Sequence, residues 1–188
     1  VKTFLLRALP LLLTFLAAAV LSYIVTPDKT PRAADFTLDA AAGPFTLSSL
    51  QGNVVLVYFG YASCPDICPM SLANLGMALS ELTPKELAET RGVFVSLDPE
   101  RDTPAELAIY AAHFHPNILG VTGADKDIAE IAAKWGITYR RHGVDSALVY
   151  VVDHTSATFV VRADGTLHTK LEHGTPPDDI VAAIRHAR

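Results

Sequence analysis

The sequence predicts an α/β domain, a mixed central sheet flanked by helices, behind an N-terminal membrane anchor. Three observations carry this expectation. The run Val54-Val55-Leu56-Val57-Tyr58-Phe59 is apolar throughout, the pattern of a strand buried on both faces. Helix starts repeat one device: Thr83-Pro84-Lys85-Glu86 and Thr103-Pro104-Ala105-Glu106 each place Thr at the N-cap, Pro at the first helical position and Glu at the third. The order of strand and helix patterns then runs βαβα, a further helix and a closing ββα, which a mixed sheet covered by helices satisfies.

The anchor is read from Ala8 to Val25, 18 positions without a charged residue, preceded by Lys2 and Arg7. That length spans a bilayer. Ala17-Ala18-Ala19 offers a signal-peptidase cut, but the apolar run continues past it, so a retained segment over residues 1–25 is expected. The cations before it favour an N-terminus in the cytoplasm and a domain facing the periplasm or an equivalent extracytoplasmic compartment. Lys29 and Arg32 on the far side pull the other way. Residues 26–34, with two prolines and no apolar periodicity, read as a tether, and residues 35–188 as the domain. Without Lys2 and Arg7 the chain holds 13 basic against 20 acidic residues. A balance near −7 argues against nucleic acid as a partner.

Within the domain, Phe36-Thr37-Leu38 and Phe45-Thr46-Leu47, separated by a turn at Gly43-Pro44, read as a small hairpin or two edge strands. After the strand at 54–59, a helix is expected from about Pro69 to Leu82, its stripe formed by Leu72, Leu75, Met77, Leu79 and Leu82. Met77 is read there as core filling. Gly92 to Asp98 follows as a second buried strand, Thr103 to Phe114 as a helix, and Asp125 to Trp135 as another, stopped by Gly136. Leu148 to Val152, Thr158 to Val161 and Thr166 to His168 read as strands, the last two joined by a turn at Ala163-Asp164-Gly165. Thr175-Pro176-Pro177-Asp178 resembles the two earlier helix starts and opens the last helix.

Both cysteines, Cys64 and Cys68, lie between the first buried strand and the helix that follows. Free backbone N–H groups and the helix dipole at such a place favour thiolate, the reactive and metal-binding form. At i and i+4 on a roughly helical segment the two sulfurs share a face, where they can close a disulfide or grip one metal ion. The pair alone leaves both readings open. Two close cysteines fit an extracytoplasmic domain that uses its thiols for a task and not as a disulfide framework.

The order of strand, cysteine turn, helix and closing ββα resembles the thioredoxin superfamily. Four local matches narrow this: Cys64-Pro65-Asp66-Ile67-Cys68-Pro69, the stretch Ser96-Leu97-Asp98-Pro99-Glu100-Arg101-Asp102-Thr103-Pro104, Gly120-Val121-Thr122-Gly123 and Val152-Asp153-His154-Thr155. Together they resemble the Sco (SenC) family of copper-delivery proteins of cytochrome c oxidase assembly, over roughly residues 33–188. The resemblance implies a thioredoxin-like fold and a metallochaperone, not an enzyme, whose copper ligands are Cys64, Cys68 and His154. It further implies delivery of Cu(I) or Cu(II) to the copper A centre of oxidase subunit II, with a copper donor and a thiol reductant as further partners. Two thiolates and an imidazole do suit a soft ion. Thioredoxin-like reductases place a cis proline where this chain has Ala157-Thr158, and a trans peptide is expected here.

The alternative is a thiol–disulfide oxidoreductase with Cys64 and Cys68 as its redox pair, which needs no His154. A peroxidase of the peroxiredoxin type is disfavoured, because Gly60 and Tyr61 stand where its Pro-x-x-x-Thr-x-x-Cys motif needs Pro and Thr. Asp153 is a candidate orienting acceptor for His154, and Asp98 an acid near the site or a turn residue. Met70 lies near the thiols. His113, His115, His168, His173 and His186 read as surface residues, and Arg140-Arg141-His142 as a loop whose solvated face is preferred to a basic docking patch.

Overall fold

The computed structural model describes residues 30–143 and 150–188. The expected anchor at 1–25 lies outside these residues, and among the described residues no helix is long and apolar enough to cross a membrane.

The first buried run forms β3 (Val54–Gly60), every residue of which is buried. It sits at the centre of a five-stranded sheet, parallel to β4 (Thr90–Ser96) on one side and antiparallel to β8 (Ala157–Val161) on the other. Beyond these lie β5 (Ile118–Val121), parallel to β4, and β9 (Leu167–Glu172), antiparallel to β8. The sheet is therefore mixed, as its sequence order demands. Strand side chains alternate between faces, and β3 divides the core accordingly. Val54, Leu56 and Tyr58 pack with α1 (Ile67–Ser80), α3 (Pro104–Phe114) and α5 (Pro177–Ala187). Val55, Val57 and Phe59 pack with α4 (Asp125–Lys134) and with the hairpin of β1 (Thr37–Ala40) and β2 (Gly43–Thr46). Phe59, Trp135 and Phe159 meet on that second face as an aromatic cluster.

Both Thr-Pro-x-Glu starts form full capping boxes, on α2 (Pro84–Ala88) and on α3. The third does not. α5 is capped by Pro176 with no side-chain bond, and Thr175 Oγ1 turns back to donate to the Glu172 carbonyl. A Thr one residue too early cannot reach the third helical N–H, so the likeness was one of composition only. Met77 is 49% exposed, which corrects its reading as core filling. Met77 stands two residues from both Leu75 and Leu79, about 200° around α1, so it points away from the face on which Leu72, Leu75 and Leu79 bury.

Two strands were not expected. β5 is only four residues long and follows α3 so closely that its run reads as a loop. β6 (Tyr139–Gly143) contains Arg140-Arg141-His142 and pairs antiparallel with β7 (Tyr150–His154) in a separate ribbon. The apolar run expected from Leu148 starts outside the described residues. Pro31 to Ala34, at the end of the stretch read as a tether, bond to the domain: Leu167 N–H donates to the Pro31 carbonyl, Ala33 N–H to Gly165 and Trp135 Nε1 to Ala34.

The α3 cap is local, exposed and complete, so its worth is measurable. Thr103→Ala is expected to lower the unfolding free energy by about 1 kcal/mol, read as a shift in urea midpoint with an unchanged m-value.

Candidate metal centre

The site is assembled at the end of β3. Gly60 closes that strand, residues 61–66 turn, and Cys68 falls in the first turn of α1. Gly60 is required by packing: a Cβ there would stand 2.7 Å from Cys68 Sγ and 3.1 Å from the rings of Phe94 and Tyr58. The Cys68 sulfur thus occupies the space of the missing side chain and is fully buried. Burial pushes its thiol up to about 12, against the opposing pull of the Tyr61 N–H and the Tyr58 hydroxyl.

Cys64 is only partly buried. Burial works against its thiolate too, but the backbone N–H groups of Asp66 and Cys68, the Cys68 thiol and the Tyr61 side chain outweigh it and hold the thiol below its usual range. Asp66 occupies the N-cap position yet makes no side-chain cap bond. The N–H groups that a helix start leaves unpaired favour the Cys64 thiolate instead. The two cysteines are both free.

His154 ends β7 and reaches the pair from the far side of the fold. Its Nε2 lies 3.4 Å from Cys68 Sγ, across 86 residues of sequence. Nδ1 lies 3.0 Å from the Thr155 carbonyl. A carbonyl oxygen only accepts, so Nδ1 carries the proton and the Nε2 lone pair faces the sulfurs. Burial lowers the pKa of the imidazole and keeps it neutral over a wider range. The donor atoms of Cys64, Cys68 and His154 all lie within 4.8 Å of one another. Donors sharing one ion at bonds of about 2.0–2.3 Å stand about 3.5–4 Å apart, so the set is within a small side-chain rotation of holding one. The Ala157–Thr158 peptide beside it is trans, as are all described peptide bonds.

Other candidates fall outside this cluster. Asp153 is exposed and pairs with His142 at 2.9 Å, so the acceptor that orients His154 is the Thr155 carbonyl. His115 is buried, with Nδ1 accepting from Asn117 N–H at 3.0 Å, and is not a surface residue. Arg141 is no solvated cation either: it bridges Glu100 at 3.0 Å and Asp125 at 2.6 Å. Asp98 is fully buried, salt-bridged to Arg101 and accepting from the Tyr150 hydroxyl. Burial and then that bond push the Tyr150 phenol up to about 12. Arg101 lies 3.8 Å from the centroid of the Tyr150 ring and 5.6 Å from that of Tyr61. Sequence reasoning missed Asp102, which is buried and accepts from Ala62 N–H at 2.9 Å. The signal was in the sequence: an acid directly before a capped helix start has no local donor left to serve.

A family model described as SCO1/SenC matches residues 25–188. The chain is 36% identical over 161 residues to a SCO2-like protein of Rickettsia conorii, covering 85% of this chain and 78% of that one. Among solved structures it is similar to apo Sco1 of Thermus thermophilus, with a TM-score of 0.77 and 37% identity over 86% of this chain and 94% of that one. It is also similar to copper-bound ScoI of Bradyrhizobium japonicum, with a TM-score of 0.75 and 28% identity over 84% and 99%.

The unequal environments of the two thiols are open to chemical test. In reduced protein at pH 7, iodoacetamide is expected to label Cys64 first and Cys68 only after unfolding. Peptide mapping by mass spectrometry reads the order, and equal labelling of the folded protein would contradict it.

Proposed function

The chain belongs to the SCO1/SenC family, and from that premise we propose that it is a copper metallochaperone binding one copper through Cys64, Cys68 and His154. The observation that carries the reading is the convergence of these three donors within 4.8 Å from two distant parts of the sequence. Two sulfurs and one imidazole form a soft, low-coordinate set that fits Cu(I) and can also hold Cu(II). The Nε2 lone pair is directed at the pair by the Thr155 carbonyl, as an outer partner of a metal-bound histidine should do. The copper-bound ScoI of similar fold supports the choice of metal.

Copper is the cargo. Cys64 is the partly exposed thiol, so exchange with an incoming donor or acceptor proceeds through its side of the site, while fully buried Cys68 holds on longest. The acceptor is the copper A centre of cytochrome c oxidase subunit II, on the family's pattern. A copper donor supplies the ion and a thiol reductant keeps the pair open. The N-terminal segment over residues 1–25 holds the domain at the extracytoplasmic face of the membrane.

A second reading, thiol–disulfide exchange with the oxidase subunit, is favoured by the asymmetry of the pair. A partly exposed cysteine with a lowered pKa suits attack, and a buried one suits resolution. His154 separates the two. Cu(I) titration of reduced protein is expected to give one ion per chain, and Cys64→Ser, Cys68→Ser and His154→Ala each to abolish stoichiometric binding. Unchanged binding in all three variants would sink the copper reading, and thiol exchange that survives His154→Ala would favour the second.

The sign of the pH dependence follows from the thiols. Cys68 must lose a proton to bind, and its thiol titrates far above neutrality. Affinity for Cu(I) is therefore expected to rise with pH, with about one to two protons released per ion near pH 7. His154, with its pKa lowered, adds no further proton there. Calorimetry in buffers of different ionisation enthalpy counts the protons, and a pH-independent affinity between 6 and 8 would count against both thiols as ligands.

A further inference from the structure

We propose that Asp102 is a positioning residue of the metal centre, acting on Cys64 through the backbone of the turn that carries it. The inference rests on the copper-binding reading above.

The turn Tyr61-Ala62-Ser63-Cys64 is closed from within by one long bond, Cys64 N–H to the Tyr61 carbonyl at 3.3 Å. From outside it is held by Asp102, whose Oδ2 accepts from Ala62 N–H at 2.9 Å. The same oxygen accepts from Ser96 Oγ at 2.5 Å. Ser96 is the last residue of β4 and pairs with Gly60, the last of β3. Leu97 N–H donates to the Gly60 carbonyl at 2.7 Å, which locks the two strand ends together. The carboxylate therefore ties the turn before Cys64 to the paired ends of β3 and β4.

Asp102 is itself fixed on both sides. Its N–H donates to the Asp98 carbonyl at 3.0 Å, and the next residue, Thr103, caps α3. That cap is complete without it, since Thr103 and Glu106 supply both halves of the box. The Asp102 side chain is thus not used by the helix it precedes and reaches instead to a turn 40 residues earlier. It is 2% exposed, so water does not readily replace the acceptor. Cys68 is placed by other means, the first turn of α1 and the gap at Gly60. Of the two cysteines, it is Cys64 whose turn Asp102 holds.

Position, not charge, is the property at work. Asp102→Asn keeps an acceptor oxygen, and Asp102→Ala removes it. Cu(I) affinity, measured by competition with a chromophoric chelator, is expected to fall about 10- to 100-fold in Asp102→Ala and to stay near wild type in Asp102→Asn. Hydrogen exchange of the Ala62 amide, followed by NMR in the copper-free protein, is expected to be slow in wild type and Asp102→Asn and fast in Asp102→Ala. Should Asp102→Ala not fold, Ser96→Ala, which removes one of the two bonds to the carboxylate, is expected to give a smaller loss of affinity and faster Ala62 exchange.

A folded Asp102→Ala, or in its place Ser96→Ala, with wild-type affinity would overturn the proposal. So would an Asp102→Asn that falls as far as Asp102→Ala. Absence of copper binding in wild type would instead remove the reading beneath it, and the exchange of Ala62 would still report whether Asp102 holds the turn.

Discussion

The missing side chain at Gly60 is the constraint on which the site depends. β3 is buried on both faces, so the chain leaving it has little room to turn, and the first space available is the one a Cβ would fill. Cys68 Sγ occupies it. With the sulfur fixed there, α1 can start only where it does, and its first N–H groups fall within reach of the Cys64 sulfur. A larger residue at position 60 would displace the buried sulfur, the helix start and the histidine contact together. The centre is thus a consequence of strand packing before it is an arrangement of ligands.

From that constraint follows the inequality of the two cysteines. They have the same side chain and sit four residues apart, yet one is driven toward the thiol and the other toward the thiolate. The difference comes from where the helix's free N–H groups point. They aim back along the axis at Cys64, which precedes the helix, and Cys68, inside it, receives the cost of burial with less of the compensation. An ion held by such a pair has one ligand that is easily uncovered and one that is not, which suits a protein that must bind firmly and still let go.

How much of this was legible in the sequence can be argued residue by residue. The continuous apolar run at 54–59 and the two Thr-Pro-x-Glu starts are local signals with one physical meaning each, and both became what they predict. β6 was read as a loop because Arg140, Arg141 and His142 look solvated. In the fold, two acids from elsewhere, Glu100 and Asp125, neutralise Arg141, and no local pattern reveals that. Met77 was misplaced because a broad apolar stripe took in a residue that stands about 200° around the helix from Leu75 and Leu79, on the opposite face. At the site, the sequence supplied the two cysteines and the motif around His154. Their meeting came only from the family resemblance and not from any local pattern, because it depends on the separate β6–β7 ribbon being carried over the cysteine turn.

That ribbon is the less obvious half of the architecture. β6 and β7 pair with each other, His154 opposite Tyr139, and not with the main sheet, so no strand ladder ties the ribbon that carries His154 to that sheet. Arg101 is one fastening: its guanidinium donates to the Tyr150 carbonyl at 2.9 Å, lies against the Tyr150 ring and pairs with Asp98. Tyr61 continues the contact inward, with its ring edge-on to His154 at 6.0 Å. Thr138 and Thr155 close the ribbon's base, where Thr155 N–H donates to the Thr138 carbonyl at 2.9 Å. The stretch from Asp98 to Thr103 therefore serves both halves of the centre. Asp98 and Arg101 steady the ribbon that brings the histidine, Asp102 steadies the turn that brings Cys64, and the α3 cap fixes the segment from which both act. A motif that contains no metal-binding cysteine or histidine is in this way as much a part of the centre as the ligands themselves.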